Sequence, residues 1–373
     1  MADPNPPSET AAEKPAEALP GSQAGTQAGL EAPTHSDPLL EIDDLAVQFH
    51  TRDGVVHAVN GISMSVREGR TLAVVGESGS GKSVTSQAVM GLLESPPARI
   101  VRGAIRFRGK DLLTMPGRQH RAMCGEHIGM VFQDALAALN PVYSVGFQLS
   151  EPLVVRRGMS RKDARKRAVE LLDLVRVPAA AKRIGDYPHQ FSGGMRQRVM
   201  IAMALALDPE MLIADEPTTA LDVTVQAQIM RLLKEIQRER RMGLILITHD
   251  LGVVANVADE VTVMYAGRAV EQADIHTAFA APSHPYTKAL LRSIPRVDAR
   301  GQQLEVIAGR PPVLAALPPG CAFAPRCQYS RGKCASEVPQ LIPVPNGNEE
   351  SVRGGVEHAS ACHFAGEVSK DVQ

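Results

Sequence analysis

Short apolar runs punctuate the chain at intervals, and their lengths set out its elements before any single residue is considered. Thr71 to Val75, Ile128 to Phe132, Met211 to Ala214 and Leu244 to Ile247 each have the length and composition of a buried strand. Glu260 to Val270 reads as further strands. Helical patterns lie between these runs: Val84 to Leu93 follows the first, residues 134–191 follow the second, and Val199 to Leu207 forms a buried helix before the third. Met200 and Met203 in that helix are packing residues. Strands alternating with helices predict an α/β fold. Upstream the pattern changes, because Leu39 to Val66 alternates apolar and polar positions with Gly punctuation, which suits antiparallel strands. Val101 to Phe107, with Lys110 and Asp111 after a turn, continues it. Within 134–191, Asn140 and Pro141 break the helix near its start. Ala135 to Val154 is apolar enough either to dock a partner helix or to be core. The basic residues from Arg156 to Arg167 alternate with Ala164, Ala168, Leu171 and Leu172, which makes them the solvated face of a helix.

Composition narrows this picture without redrawing it. A chain of 373 residues can hold one large domain and a smaller one. Its net charge of −1 offers no basic footprint for nucleic acid. No apolar stretch approaches the roughly 20 residues needed to span a bilayer. Met1 to about Asp37 is rich in Pro, Ala, Glu, Ser and Gly without an apolar centre, so it does not resemble a signal peptide and is expected to be disordered.

Candidate chemistry appears where the strand runs end. GESGSGKS, residues 76–83, stands between the Thr71 strand and the Val84 helix, and Gly76, Gly79 and Gly81 let its backbone curl toward phosphate oxygens. The cradle comprises Gly76, Glu77, Ser78, Gly79, Ser80, Gly81, Lys82, Ser83 and Val84. Lys82 would neutralise β and γ phosphates and Ser83 would ligate Mg²⁺. A plain glycine-rich turn is the alternative, weakened by the strand and helix on either side. The Met211 run ends in Asp215 and Glu216, and successive strand residues point to opposite sides. Asp215 is therefore assigned to the metal and Glu216 to the general base that activates water. A solvated pair in a turn is less consistent with the apolar strand before it and Pro217 after it. In FSGGMRQR, residues 191–198, Ser192, Gly193 and Gly194 supply a hydroxyl and free N–H groups at a helix start, a second anion site.

In this order, GESGSGKS, FSGGMRQR and MLIADEPTTALD resemble the nucleotide-binding subunit of an ABC transporter. The resemblance implies a P-loop ATPase over residues 38–294, with a RecA-like core, an antiparallel β subdomain, a helical subdomain, and ATP and Mg²⁺ as cofactors. It also implies that the signature of one subunit closes over ATP held by another, so that a lone chain hydrolyses poorly. Gln133, in MVFQDALAALNP, matches the glutamine that senses Mg²⁺ and water and touches the membrane partner. His249, in LILITHDL, matches the switch histidine at the γ-phosphate, and Asp222 the aspartate that couples the two sites. Taken alone, Gln133 could cap a strand and His249 could be structural. Phe49 is the candidate for stacking on adenine in a chain with 3% aromatic residues and no Trp, although it could equally be core.

Four of the five cysteines, Cys321, Cys327, Cys334 and Cys362, lie in a segment full of Pro and turns, separated by 5, 6 and 27 residues. Spacing alone leaves a metal site and four unrelated thiols evenly matched. The want of a hydrophobic core of its own in this loop-rich segment favours a metal staple. SHPYTKALLRSIPR, AGRPPVLAALPPGCAFAPRC and SACHF, with FQDALAALNP and YPHQFSGGMRQR, resemble the oligopeptide, dipeptide and nickel importer branch of the family. That resemblance implies a C-terminal extension over residues 295–373 whose four cysteines bind a [4Fe–4S] cluster. Zinc is the runner-up, with His363 as a substitute ligand, and Cys124 is expected in the core. MRQRVMIAMAL and DEPTTALDVTVQAQIM resemble the D-type ATPase of the branch more than its F-type partner. The implied assembly contains an F-type ATPase, two membrane permease subunits and an extracellular solute-binding protein, with this chain peripheral at the cytoplasmic face, importing peptides or related solutes. The alternative is a soluble ABC ATPase of DNA repair or translation. Against it, only about 110 residues separate Lys82 from Ser192, with no coiled-coil insertion, zinc finger or second ATPase domain. A module without hydrolysis would have lost Lys82, Glu216 or His249, and all three are present.

Overall fold

Two sheets organise the computed structural model, which describes residues 37–219, 221–294, 307–344 and 356–371. The expected disorder of the first 37 residues concerns a segment that, Asp37 apart, lies outside the described residues, as do parts of 295–373. In the smaller sheet, β1 (Leu40–Thr51) pairs antiparallel with β2 (Gly54–Val66). β3 (Thr71–Val75) leaves for the second sheet, and β4 (Ala98–Phe107) returns to pair with the other side of β1, followed by β5 (Lys110–Asp111). The alternation expected over Leu39 to Val66 is visible as burial of Leu40, Ile42, Leu45, Val47, Val59 and Ile62.

The larger sheet is built from the short apolar runs: β6 (Ile128–Val131), β7 (Met211–Asp215), β8 (Gly243–Thr248) and β9 (Glu260–Tyr265), with β3 among them. Their order is β9-β3-β8-β7-β6, all parallel. Every residue of these strands is buried, as expected of a parallel sheet covered on both faces. β10 (Arg268–Asp274) joins antiparallel beside β9, then β11 (Ile342–Pro343) and β12 (Ala359–Ser360) complete that edge in the order β11-β12-β10.

Helices form where the 3.6-residue pattern places them. The Arg161–Leu174 helix buries Ala164, Ala168, Leu171 and Leu172 completely, and Ser160 caps it by accepting from the Asp163 N–H at 3.1 Å. The choice between core and docking surface for Ala135 to Val154 divides by residue. Leu139, Val145, Leu149 and Leu153 are buried, whereas Leu136, Val142, Tyr143 and Phe147 are exposed. The helix expected over Val84 to Leu93 runs from Lys82 to Val89. It ends early because Gly91 turns at φ +64°, where a Cβ would stand 2.9 Å from the His120 ring.

The C-terminal segment differs most from expectation. It has no separate core and shares that of the ATPase part: Phe323 is buried beside Tyr265 and Tyr286, at ring-centroid distances of 5.3 and 5.4 Å, and Leu314 and Leu317 pack on the same cluster as Val75 and Val263. β12 adds main-chain pairing, Glu271 opposite Ser360 and Gln272 opposite Ala359.

Candidate functional site

Four parallel strands end side by side, β3, β8, β7 and β6, and each delivers chemistry at its carboxyl end. β3 runs into the glycine loop. Gly76 turns at φ +154°, and a Cβ there would lie 2.2 Å from the Met264 carbonyl oxygen; at Gly81, φ +102°, it would lie 2.5 Å from that of Ala58. Only glycine allows so close an approach to neighbouring strands. The Lys82–Val89 helix then starts on Gly81 without a side-chain cap, which leaves its first N–H groups for an anion.

Lys82 is buried, and its Nζ donates to the carbonyl oxygens of Gly76 (2.7 Å) and Glu77 (2.9 Å) and to Ser80 Oγ (3.4 Å). Burial holds its pKa below the usual lysine value, opposed by the charges of Glu216, Asp215 and Glu77. A phosphate would supply the close anionic partner that these neutral oxygens do not. Ser83 Oγ donates to Asp215 Oδ1 at 3.1 Å. Burial raises the Asp215 pKa, while the Ser83 hydrogen bond lowers it. A hydroxyl beside a carboxylate is a hard oxygen set that fits Mg²⁺.

Glu216 follows directly, with φ +45° and its N–H donating to the Ile247 carbonyl at 2.9 Å, which ties the end of β7 to β8. The strand has ended at Asp215, so Glu216 sits in a left-handed turn and not in the alternation of the strand. Glu216 Oε2 accepts from Gln133 Nε2 (3.0 Å) and from Thr219 Oγ1 (2.9 Å), and Oε1 lies 3.4 Å from His249 Nδ1. Gln133, Glu216 and His249 therefore meet from three strand ends. His249 is more open than Glu216, with its side chain 63% exposed against 15%.

The signature residues form a second group. Ser192 caps the Gly193–Ala204 helix, accepting from the Met195 N–H at 3.4 Å, and Asp222 caps Val223–Arg240, accepting from the Val225 N–H at 2.9 Å. Both helix starts, with Gly193, Gly194, Arg176 and Arg198, line an open cavity of about 470 Å³. Gly194 is required there, because a Cβ would come within 2.7 Å of the Val225 side chain. Among the described residues no hydrogen bond joins this group to Lys82. Phe49 lies on β1 opposite Val56 and Ala98, half-buried against the apolar cluster of the small sheet.

Several participants carry no signal of their own in the sequence. Thr219 stands within MLIADEPTTALD, three residues after the carboxylate it serves, and only the structure distinguishes it from Thr218. Glu77, legible only as a loop residue, pairs through its carboxylate with Arg326, and its N–H donates to Tyr286 Oη at 2.8 Å.

The cysteine expectation requires correction. Cys321, Cys327, Cys334 and Cys362 do line one cavity, with His284 and His363 near it, but its volume is about 10 Å³, room for about one water. Among the described residues no group of three or more His, Cys, Asp or Glu side chains is arranged to hold a metal ion. Among the described residues, neither the expected [4Fe–4S] cluster nor zinc finds a supporting site. Burial pushes the Cys327 thiol up to about 11 and the Cys362 thiol up to about 12. The staple that motivated a metal is supplied instead by Phe323 and its apolar neighbours. Cys124 is buried in the core, as expected.

Comparison with known proteins places these residues in a lineage. Residues 59–219 match the family profile described as ABC transporter, and residues 270–334 match the one described as oligopeptide/dipeptide transporter, C-terminal region. The chain is 50% identical over 314 residues to the oligopeptide transport ATP-binding protein OppD of Salmonella typhimurium, covering 84% of this chain and 93% of that one. This chain belongs to the ABC transporter family, as an ATP-binding subunit. It is likewise 53% identical over 303 residues to the dipeptide transport ATP-binding protein DppD of Bacillus subtilis, covering 81% and 90%. Among solved structures, the ATP-binding cassette MJ0796, captured as a post-hydrolysis dimer bound to ADP and Pi, superposes with a TM-score of 0.57 at 26% identity over 63% of this chain and 98% of that one. As an ABC ATPase the chain hydrolyses ATP with Mg²⁺, and the DNA-repair alternative falls away. Among the described residues no helix is long and apolar enough to cross a membrane.

Proposed function

We propose that this chain powers the import of peptides through a membrane ABC transporter, working at the cytoplasmic face with two permease subunits, an extracellular solute-binding protein and a second, F-type ATPase. One observation carries the reading: the chain joins an ATPase site, in which Glu216 lies between Gln133 and His249, to a C-terminal segment matching that of oligopeptide and dipeptide transporters. Residues 38–294 act as the ATPase and 295–373 as its extension. Residues Gly76 to Val84 cradle the phosphates, and Lys82 neutralises them. Ser83, Asp215 and Gln133 hold Mg²⁺, which supplies charge neutralisation when bound. Glu216 accepts the proton of the attacking water and His249 contacts the γ-phosphate. Phe49 stacks on adenine. Ser192, Gly193 and Gly194 face the nucleotide of the partner ATPase, with Asp222 coupling the two sites. The exposed Phe132, Leu136, Tyr143 and Phe147 near Gln133 support docking of a permease helix on this face.

The test is to purify the full chain with the membrane proteins that accompany it and to measure phosphate release in liposomes while varying the peptide offered through the binding protein. Turnover stimulated by peptides and dependent on the second ATPase is expected. Full turnover by this chain alone, or stimulation only by a solute other than peptide, would overturn the proposal.

A further inference from the structure

The C-terminal extension touches the phosphate-binding loop through Glu77, and it does so with an unusually complete set of contacts. Arg326 Nη1 and Nη2 lie 2.8 and 3.0 Å from the two carboxylate oxygens of Glu77, a bidentate pair. The other donors of the guanidinium reach Tyr265 Oη (3.2 Å), the Ile307 carbonyl (3.3 Å) and the Ala308 carbonyl (3.0 Å). Five N–H donors thus meet five acceptors. The side chain of Arg326 is only 5% exposed. Gly309, at φ +81°, runs against it, with its Cβ position 3.4 Å from Arg326 Cγ.

Glu77 is held on its other sides as well. Its N–H donates to Tyr286 Oη at 2.8 Å, and Tyr286 is itself wedged against Tyr265 and Phe323 at centroid distances of 4.7 and 5.4 Å. Its carbonyl oxygen accepts from Lys82 Nζ at 2.9 Å. One residue therefore carries the extension on its carboxylate, the core tyrosine on its N–H and the loop lysine on its carbonyl.

We propose that Arg326 is a positioning residue for ATP binding: through Glu77 it sets the phosphate-binding loop and Lys82, so that nucleotide affinity depends on how the C-terminal extension is docked. This rests on the reading of Lys82 as the phosphate-binding lysine. When the extension is seated, the loop is preorganised and the negative charge of Glu77 is neutralised beside the place where phosphates bind. When Arg326 is lost, Glu77 is free to turn that charge toward the nucleotide, and the carbonyl that aligns Lys82 moves with it. Lysine cannot substitute, because a point charge with three donors cannot span two carboxylate oxygens and three further acceptors.

The experiment uses the full chain, with ATP and Mg²⁺ titrated by calorimetry, amide hydrogen exchange followed over residues 76–83, and thermal unfolding recorded without nucleotide. R326K, R326Q, E77Q, the R326Q/E77Q pair, Y286F and K82A are compared with the parent. Loss of ATP affinity by about 5- to 20-fold in R326K and R326Q is expected. Faster exchange across the loop should accompany it, and the pair should lose no more than the worse single variant. A structural role alone would lower the unfolding temperature and leave the affinity of the folded fraction as it was. Unchanged affinity in R326K and Y286F, or strictly additive losses in the pair, would overturn the proposal while K82A still loses ATP. Should K82A bind ATP normally, the underlying reading of the loop fails instead. Where R326Q does not fold, R326K and Y286F decide the question by the same measurements.

Discussion

Glu216→Gln separates hydrolysis from binding in this site. The substitution keeps side-chain length and leaves one oxygen to accept from Thr219 or Gln133, which now stand 2.9 and 3.0 Å from the same carboxylate oxygen. What disappears is the base. Proton transfer by a positioned side chain contributes about 10²- to 10⁴-fold, so phosphate release by the assembled complex should fall by that amount. Binding should behave differently, because the contacts of Lys82 are with Gly76, Glu77 and Ser80, and Glu216 reaches it only through space. Removing a negative charge near the phosphates leaves ATP affinity unchanged or tighter. The assay pairs steady-state phosphate release with equilibrium ATP binding on the same preparation. Undiminished turnover would refute the assignment of Glu216 as base. A loss of turnover matched by an equal loss of ATP affinity would show instead that Glu216 acts by holding the loop in shape.

Two further predictions concern buried carboxylates outside the site. Glu271 is wholly buried and accepts from the N–H groups of Ser283 (2.6 Å) and His284 (3.0 Å) and pairs with His358 Nε2 (2.8 Å); Glu271→Ala should therefore cost about 3–5 kcal/mol in urea unfolding, and a loss below about 1 kcal/mol would contradict it. Glu260 pairs with Arg67 at 3.3 Å, yet burial raises its pKa above the usual glutamate value, so its contribution to stability is present below the ordinary carboxylate range and lost as pH rises through the raised pKa. Glu260→Gln should accordingly gain stability relative to the parent as pH rises from the ordinary carboxylate range toward neutrality, and the opposite trend in paired denaturation curves would reverse the sign.

What the chain revealed in advance was whatever depends on local pattern. A strand buried on both faces needs four or five apolar residues in succession, and those runs are visible in the letters from Thr71 to Val75 and from Met211 to Asp215. The loop glycines are visible for the same reason, since the backbone geometry they permit is a property of the residue. Contacts set by strand order were not legible. Nothing in the spacing of Gln133, Glu216 and His249 says that β8 lies between β3 and β7, and it is that order which brings His249 beside Glu216. The left-handed turn at Glu216 is equally hidden, because it is held by a hydrogen bond to Ile247 on another strand.

The extension exposes a more general error in judging stability from composition. Residues from Ile307 to Val368 contain few large apolar side chains, and a segment judged alone would need a metal or disulfide to hold it. Burial is not a property of the segment, however. Phe323, Leu314 and Leu317 fill space against Tyr265 and Tyr286, which belong to the ATPase sequence, so the apolar surface that matters was contributed mostly by the other side. The polar contacts obey the same logic: Glu271 awaits His358, and Glu77 awaits Arg326, each a carboxylate of the ATPase part given a hydrogen-bond partner by the extension. Deleting the extension would leave Glu271 buried without one of its three partners, and the aromatic pair without its cover. Its removal should therefore destabilise the ATPase itself, which is the behaviour of a missing wall and not of an appended module.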